Sequence, residues 1–282
     1  MSAAYDIAPV DTAAHGAAGV SSPWAADDPY SHALRSGRGP LFLRRADGWL
    51  LPLEVERWCA EADAVDLAVL GRCEGSVLDI GCGPGRLVSA LAERGRDVLG
   101  IDVSEAAVAH TLRRLAHPVP RRNRKPGRAT ALLRSVFESV PGEGRWDTAL
   151  LMDGNVGIGG DPHALLDRLY ELLRPGGTLV VETTPADIDE RVSVQVVDLP
   201  GDQNGTGSPF PWARLGTPAL LRHARGRGWR AVDQWSSGGR CFVALRSRSR
   251  TTSSSAEPPK RTAVISSQRA RTGPVESPVA NR

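Results

Sequence analysis

The stretch that decides the fold reads Val77-Leu78-Asp79-Ile80-Gly81-Cys82-Gly83-Pro84-Gly85-Arg86, passes through a helical segment, and resumes as Val98-Leu99-Gly100-Ile101-Asp102. Val77, Leu78 and Ile80 form the short apolar run of a strand buried on both faces, as in a parallel sheet. The glycines that follow permit unusual backbone angles and remove the side chains that would hold a ligand off the main chain. Pro84 fits the first turn of the next helix, where its missing N–H is not needed. Leu87, Val88, Leu91 and Ala92 recur at helical spacing, and Gly95 marks the stop. Asp102 closes the second apolar run about 20 residues past the first glycine, the distance at which a second-strand carboxylate meets ribose hydroxyls. The pattern predicts a strand, turn, helix and strand that hold a nucleotide.

A dinucleotide site carries G-x-G-x-x-G, whereas this loop is Gly81-x-Gly83-x-Gly85 with an acid, Asp79, just ahead of it. The passage resembles motif I of the class I (Rossmann-like) S-adenosylmethionine-dependent methyltransferases. A second passage, Leu173-Arg174-Pro175-Gly176-Gly177-Thr178-Leu179-Val180-Val181, is similar to the L-(K/R)-P-G-G run that leads into their fifth strand. The resemblance implies an α/β fold: a doubly wound, mostly parallel seven-stranded sheet with helices on both faces and a reversed last strand. It implies S-adenosyl-L-methionine as cofactor. By the same resemblance, Asp79 sits near its amino acid end and Gly81, Cys82 and Gly83 line it through their backbone. Gly85 belongs to the same loop, and Asp102, with Val103 beside it, lies at the ribose. Relatives place an acid near the end of the third strand for the adenine amino group. Here the alignment of Val140-Pro141 on their common L-P pair puts Val136 at that position with Phe137 beside it. The chain departs from the family there, so adenine is expected against Phe137 and backbone groups.

The chain has 282 residues, 41% hydrophobic and 24% charged, with a net charge of +3, which suits one globular domain with flexible ends. No run approaches the roughly 20 apolar residues that span a bilayer, and no basic segment with an apolar core opens the chain. A cytoplasmic protein without membrane contact is expected. Cys59, Cys73, Cys82 and Cys241 are scattered and form no C-x-x-C pair, so neither a metal site nor a disulfide framework is signalled.

Residues 1 to 38 lack a sustained period and read as a flexible leader. Residues 39 to 246 read as the methyltransferase-like domain, within which Glu54 to Leu70 has the spacing of one helix carrying Val55, Trp58, Cys59, Ala62, Val65 and Val69 on one side. Ser104 caps a helix to about Ala116, and Asp161-Pro162 starts another to Leu173. Ala129 to Val136 and Trp146 to Met152 read as the third and fourth strands of the sheet. Residues 192 to 212 form an inserted strand and a Gly/Pro-rich loop with Phe210 and Trp212, a candidate lid. Trp229 to Trp235 and Arg240 to Leu245 read as the last two strands, and residues 247 to 282 as a disordered basic tail.

Methyl transfer from a sulfonium is an in-line displacement, so an enzyme must align the nucleophile, exclude water and, where needed, take a proton. In a doubly wound sheet these groups stand outside the carboxyl ends of the strands. Asp153, Gly154 and Asn155 follow the fourth strand there, and Glu182 and Thr183 end the fifth. Asp153, also within the implied cofactor set, is the first candidate for a substrate-facing group or general base, and Asn155 the second. An Asp before Gly equally caps its own turn. His163 stands in the first turn of its helix at the same end of the sheet.

The fourth strand ends in Met152-Asp153-Gly154-Asn155 rather than in N-P-P-Y or D-P-P-Y, and no cysteine follows a proline, so the signatures of nucleic-acid base methylation are absent. The leading reading is methyl transfer to a small-molecule acceptor. A non-catalytic cofactor-binding or regulatory protein of the same fold stands beside it. So does a nucleic-acid methyltransferase, which would use the basic run Arg121, Arg122, Arg124 and Lys125. That run has no interleaved aromatic residue for stacking on bases. Oligomeric state is not signalled.

Overall fold

The computed structural model describes residues 28–117, 126–198 and 208–248. The expectations for residues 1–27, the basic run 121–125, the insertion tip 199–207 and the tail from 249 lie outside these residues.

Asp28 and Pro29 start helix α1 (Pro29–Ser36): the Asp28 carboxylate accepts from the Ser31 N–H at 2.7 Å, and Gly37 ends the helix at φ +70°. This element falls inside the stretch expected as leader, because its cap and proline are an ordinary helix start that composition alone conceals. Strands β1 (Phe42–Arg45) and β2 (Leu50–Pro52) follow as an antiparallel pair. The helix expected over Glu54 to Leu70 is two helices, α2 (Val55–Cys59) and α3 (Ala64–Leu70). Asp63 breaks it. Its carboxylate accepts from the Asp66 N–H while Asp66 accepts from the Asp63 N–H, a reciprocal cap that opens a new helix despite continuous apolar spacing.

Strand β3 (Val77–Ile80), helix α4 (Arg86–Glu93), strand β4 (Val98–Asp102), helix α5 (Glu105–Ala116) and strand β5 (Ala129–Leu133) come next, the last shorter than its expected end at Val136. Then come β6 (Trp146–Leu151), a single 3₁₀ turn at Asn155–Gly157, α6 (Pro162–Leu172) and β7 (Leu173–Thr183). The described chain closes with β8 (Asp189–Val197), β9 (Phe210–Leu215), α7 (Thr217–Ala224), β10 (Trp229–Ser237) and β11 (Arg240–Ser247).

Seven strands lie in the order β10-β11-β7-β6-β3-β4-β5. The run β7-β6-β3-β4-β5 is parallel, and β11 is antiparallel to both β7 and β10. The reversed last strand expected from the sequence is β11. Alternate residues split the core: Leu78, Ile80, Leu99 and Ile101 pack with Leu165, Leu166 and Leu169 of α6, and Val77 and Val98 with Leu87 and Leu91 of α4.

A second sheet was not expected. β2, β1, β8 and β9 form a four-stranded antiparallel sheet, with Leu43 opposite Val196 and Val192 opposite Trp212. The segment read as one inserted strand and a loop is therefore a strand pair that completes the N-terminal hairpin. Its apolar face packs on Tyr30, Ala33 and Leu34 of α1.

Gly85 stands at φ +84° at the head of α4, and a side chain there would meet Thr111 of α5 at 2.6 Å. Its glycine identity thus serves helix packing. Gly85→Ala should cost about 1–3 kcal/mol of stability through left-handed strain and that contact, measured by urea denaturation.

Candidate active site

A cavity of about 310 Å³ opens at the carboxyl ends of β3, β4 and β6, where a doubly wound sheet places its ligands. Asp79, Gly81, Cys82, Gly83, Asp102, Val103, Val136, Phe137, Asp153 and Asn155 all border it. Gly85 does not.

The glycine turn is shaped by its neighbours. The Gly81 and Cys82 N–H groups both donate to the Ile101 carbonyl, and the Thr111 hydroxyl donates to the Gly83 carbonyl at 2.8 Å. Asp102 is the loop's anchor: one carboxylate oxygen accepts from the Gly83 N–H and the other from the Ser104 N–H, each at 2.9 Å. A carboxylate retains further lone pairs after two such bonds, so Asp102 can hold the turn and still accept from a ligand hydroxyl. Burial raises its pKa, against the lowering effect of the Ser104, Gly83 and Val103 amides.

Asp79 is different. It is 2% exposed, and its Oδ2 is buried without a hydrogen-bond partner. Burial first, then the charges of Asp153 and Asp102, push its pKa up to about 8. A carboxyl left in this state asks for a cation.

Asp153 takes a position the sequence did not disclose. It has φ +56°, the one positive φ on a non-glycine residue among the described residues. Its two oxygens accept from Arg57 at 2.5 Å and Arg86 at 2.6 Å, and its own N–H donates to Glu182 at 2.8 Å. Arg240 donates to both Glu182 oxygens at 2.8 Å and to Asp66 at 2.7 Å, and Asp66 in turn pairs with Arg86. With Glu54, which pairs with Arg57 at 2.6 Å, three guanidiniums and four carboxylates thus form one cluster, and its Arg86 and Asp153 border the cavity. Both Asp153 carboxylate oxygens are thus engaged by Arg57 and Arg86 on the cavity side where a general base was expected. Asn155 is likewise committed: its amide donates to the Ile80 and Gly81 carbonyls, both at 2.9 Å, and steadies the glycine turn. A Cβ on Gly81 would meet that amide at 2.6 Å.

Val136 is buried, whereas Val103 and Phe137 stand at the rim, 41% and 45% exposed. His163 does not line the cavity. It meets His223 at 2.7 Å, and His223 meets Asp189 at 3.0 Å. Glu182 serves the ion cluster, and Thr183 exchanges a hydrogen bond with Thr217 at 2.8 Å.

Several cavity residues escaped the sequence reading. Tyr30 arrives on α1, whose signal was the Asp28-Pro29 start. Arg86 lies beside the glycine turn but reads there as an ordinary helix residue. Ile158 and Gly159 belong to the glycine-rich segment after the 3₁₀ turn, and Val196 comes from β8. No helix among the described residues is long and apolar enough to cross a membrane.

Comparison with known proteins agrees with this architecture. A family model described as "Methyltransferase domain" matches residues 54–224. The chain is 32% identical over 133 residues to a "Ubiquinone biosynthesis O-methyltransferase" of Psychrobacter cryohalolentis, covering 46% of this chain and 48% of that protein. It is 31% identical over 122 residues to a "Malonyl-[acyl-carrier protein] O-methyltransferase" of Salmonella typhimurium, covering 43% and 44%. The chain spans about half the length of these curated relatives. Its fold is similar to a crystal structure of a SAM-dependent methyltransferase from Bacteroides fragilis in complex with S-adenosyl-L-homocysteine. The TM-score is 0.60 at 20% identity, over 79% of this chain and 96% of that one.

The ion cluster generates a stability test. Asp66 is fully buried and Arg86 only 3% exposed, so Asp66→Ala removes a counter-charge from the buried Arg86 and from the partly buried Arg240. It should cost about 3–5 kcal/mol in urea denaturation, far more than removal of the exposed Asp47 partner of Arg45.

Proposed function

The chain belongs to the methyltransferase-domain family, and from that membership we propose that it transfers a methyl group from S-adenosyl-L-methionine to an oxygen of a small-molecule acceptor. The observation that carries the reading is the unpartnered Asp79 oxygen beside a backbone-lined glycine turn at the carboxyl end of β3. The residues present fit the cofactor. Its α-ammonium group would satisfy Asp79, the Gly81–Gly83 backbone would border its amino acid portion, and Asp102 would accept from the ribose hydroxyls. Val103 and Phe137 would flank the adenine at the rim, with Val136 beneath. The bound cofactor supplies the electrophilic methyl group.

What the chain itself contributes is alignment. Asp153 bridges Arg57 and Arg86, which pair in addition with Glu54 and Asp66, so these groups fix the floor of the cavity. Exclusion of water together with orientation of the acceptor oxygen lowers the barrier. Two relatives named as O-methyltransferases support oxygen as the accepting atom.

Asp79 supplies the first test. With its pKa near 8 in the free protein, the carboxyl is neutral at pH 7. A bound ammonium favours the ionised form, so binding releases a proton. Affinity for S-adenosylhomocysteine should therefore strengthen by about tenfold per pH unit on approach to pH 8 and level off above it. Calorimetry at pH 7 in buffers of different ionisation heat should register close to one proton released, and Asp79→Asn should abolish the release. Binding without proton release in the wild-type chain would remove Asp79 from the ammonium site. Binding without S-adenosylhomocysteine production from S-adenosylmethionine, across hydroxyl and carboxylate acceptors, would favour a protein that only binds the cofactor.

Asp102→Ala should weaken the same ligand by about 1–3 kcal/mol, through lost charge-assisted hydrogen bonds and a loosened Gly83 amide. An unchanged dissociation constant in the folded variant would exclude the ribose role.

A further inference from the structure

The segment Gly157-Ile158-Gly159-Gly160 lies between two aromatic side chains of the cavity wall that come from distant parts of the chain. On one side Ile158 bridges to Trp212 of β9, antiparallel. A Cβ on Gly157 would strike the Ala213 carbonyl of β9 most closely and, next, the Trp212 ring at 2.5–2.6 Å, and one on Gly160 would strike Pro211 at 2.6 Å. On the other side a Cβ on Gly159 would meet the Phe137 ring at 2.7–2.8 Å and nothing closer. Gly159 also stands at φ +77°, where side-chain-bearing residues are strained. Gly157 thus leaves room for the β9 backbone and the Trp212 ring, and Gly159 for the Phe137 ring, and both rings border the cavity. Phe137 stands at the exposed rim in the loop after β5, and Trp212 stands on the second sheet.

The Trp212 half has its own chemistry. The second sheet turns Leu43, Val196, Phe210, Pro211 and Trp212 into the cavity, and none carries a charge. Phe210 and Trp212 meet edge to face, with centroids 6.0 Å apart at 88°. Asp102 and Asp153, which also border the cavity, come from the ends of strands of the seven-stranded sheet, and are held by amides and by guanidiniums respectively. A wall of this kind receives flat apolar surface, since the area removed from water supplies the affinity and ring edges supply the orientation.

We propose that this segment positions the two halves of the site independently: Gly157 seats Trp212 against a planar, apolar-ringed acceptor, and Gly159 seats Phe137 against the cofactor. The proposal rests on the methyltransferase reading and deepens it by naming the acceptor's chemical class and the positioning residues on which its recognition depends.

The experiment uses the full chain and two probes. S-adenosylhomocysteine reports the cofactor half by calorimetry. 1-Naphthol, a planar neutral ring system with its own fluorescence, reports the acceptor half in titrations of the S-adenosylhomocysteine-saturated protein. Gly157→Ala and Trp212→Ala should each weaken 1-naphthol by about tenfold or more while the S-adenosylhomocysteine constant moves less than about twofold, and the double variant should be no worse than the poorer single one. Gly159→Ala and Phe137→Ala should show the mirror pattern, weakening S-adenosylhomocysteine non-additively and sparing 1-naphthol. If Gly157→Ala fails to fold, Trp212→Phe against Trp212→Ala carries the same test, since a retained ring should retain 1-naphthol. Equal weakening of both probes by either glycine variant, or additivity within either pair, would overturn the proposal and reduce the segment to a structural turn. Wild-type protein that binds S-adenosylhomocysteine but not 1-naphthol would overturn this inference alone. Failure to bind S-adenosylhomocysteine would overturn the methyltransferase reading beneath it.

Discussion

Arg86 is a guanidinium almost wholly removed from water, and its neutralisation dictates where much of the chain must run. A buried cation without partners would be prohibitively costly, so Asp66 of α3 and Asp153 after β6 have to converge on it. Those carboxylates are in turn shared with Arg57 of α2 and Arg240 of β11, and Arg240 holds Glu182 of β7. The cluster therefore links the N-terminal helices to both the middle and the end of the seven-stranded sheet. Because Arg86 begins the helix that follows the glycine turn, the same ion pairs fix the direction in which that turn faces. The geometry of the cavity floor is an electrostatic consequence of one residue at the head of α4.

How much of this could be read from the sequence depended on how far apart the interacting residues lie in the chain. The glycine turn, its flanking strands and Asp102 are a local pattern, and the anchoring of Gly83 by Asp102 spans only a strand-helix-strand unit. The parallel sheet and its reversed last strand followed from the family resemblance that this unit and the Leu173–Val181 passage carry. Asp153 was visible as a residue at the right end of the fourth strand, but not as the partner of Arg57 and Arg86, because nothing near it in sequence announces those arginines. The second sheet was hidden for the same reason: β1 and β8 look like weak, isolated strands until each is set beside the other. The break between α2 and α3 was local and readable, since Asp63 and Asp66 form a reciprocal cap. Continuous apolar spacing concealed it.

The two sheets divide the site by chemistry. The seven-stranded sheet contributes backbone amides, the glycine turn and carboxylates, which are groups able to recognise a charged and hydroxylated molecule. The four-stranded sheet contributes hydrocarbon and aromatic surface. Segments that join them are short of side chains, as at Gly157 and Gly160, where β9 approaches the segment after the 3₁₀ turn more closely than any substituent would allow. Close approach of two backbones is what places a wall from one sheet within reach of a ligand held by the other.

The composition of the four-stranded sheet also sets an order of events during synthesis. Arg44 and Gln195, which meet across β1 and β8, are separated by 151 positions. At about 5–20 residues per second on a ribosome, the β1–β2 hairpin emerges and then waits on the order of ten seconds for its neighbour. Throughout that interval the central strand of the future sheet is an open edge, able to pair with whatever extended chain it meets. Only four residues long, and ending in Arg44 and Arg45, β1 is short and charged enough to make a poor template for such encounters.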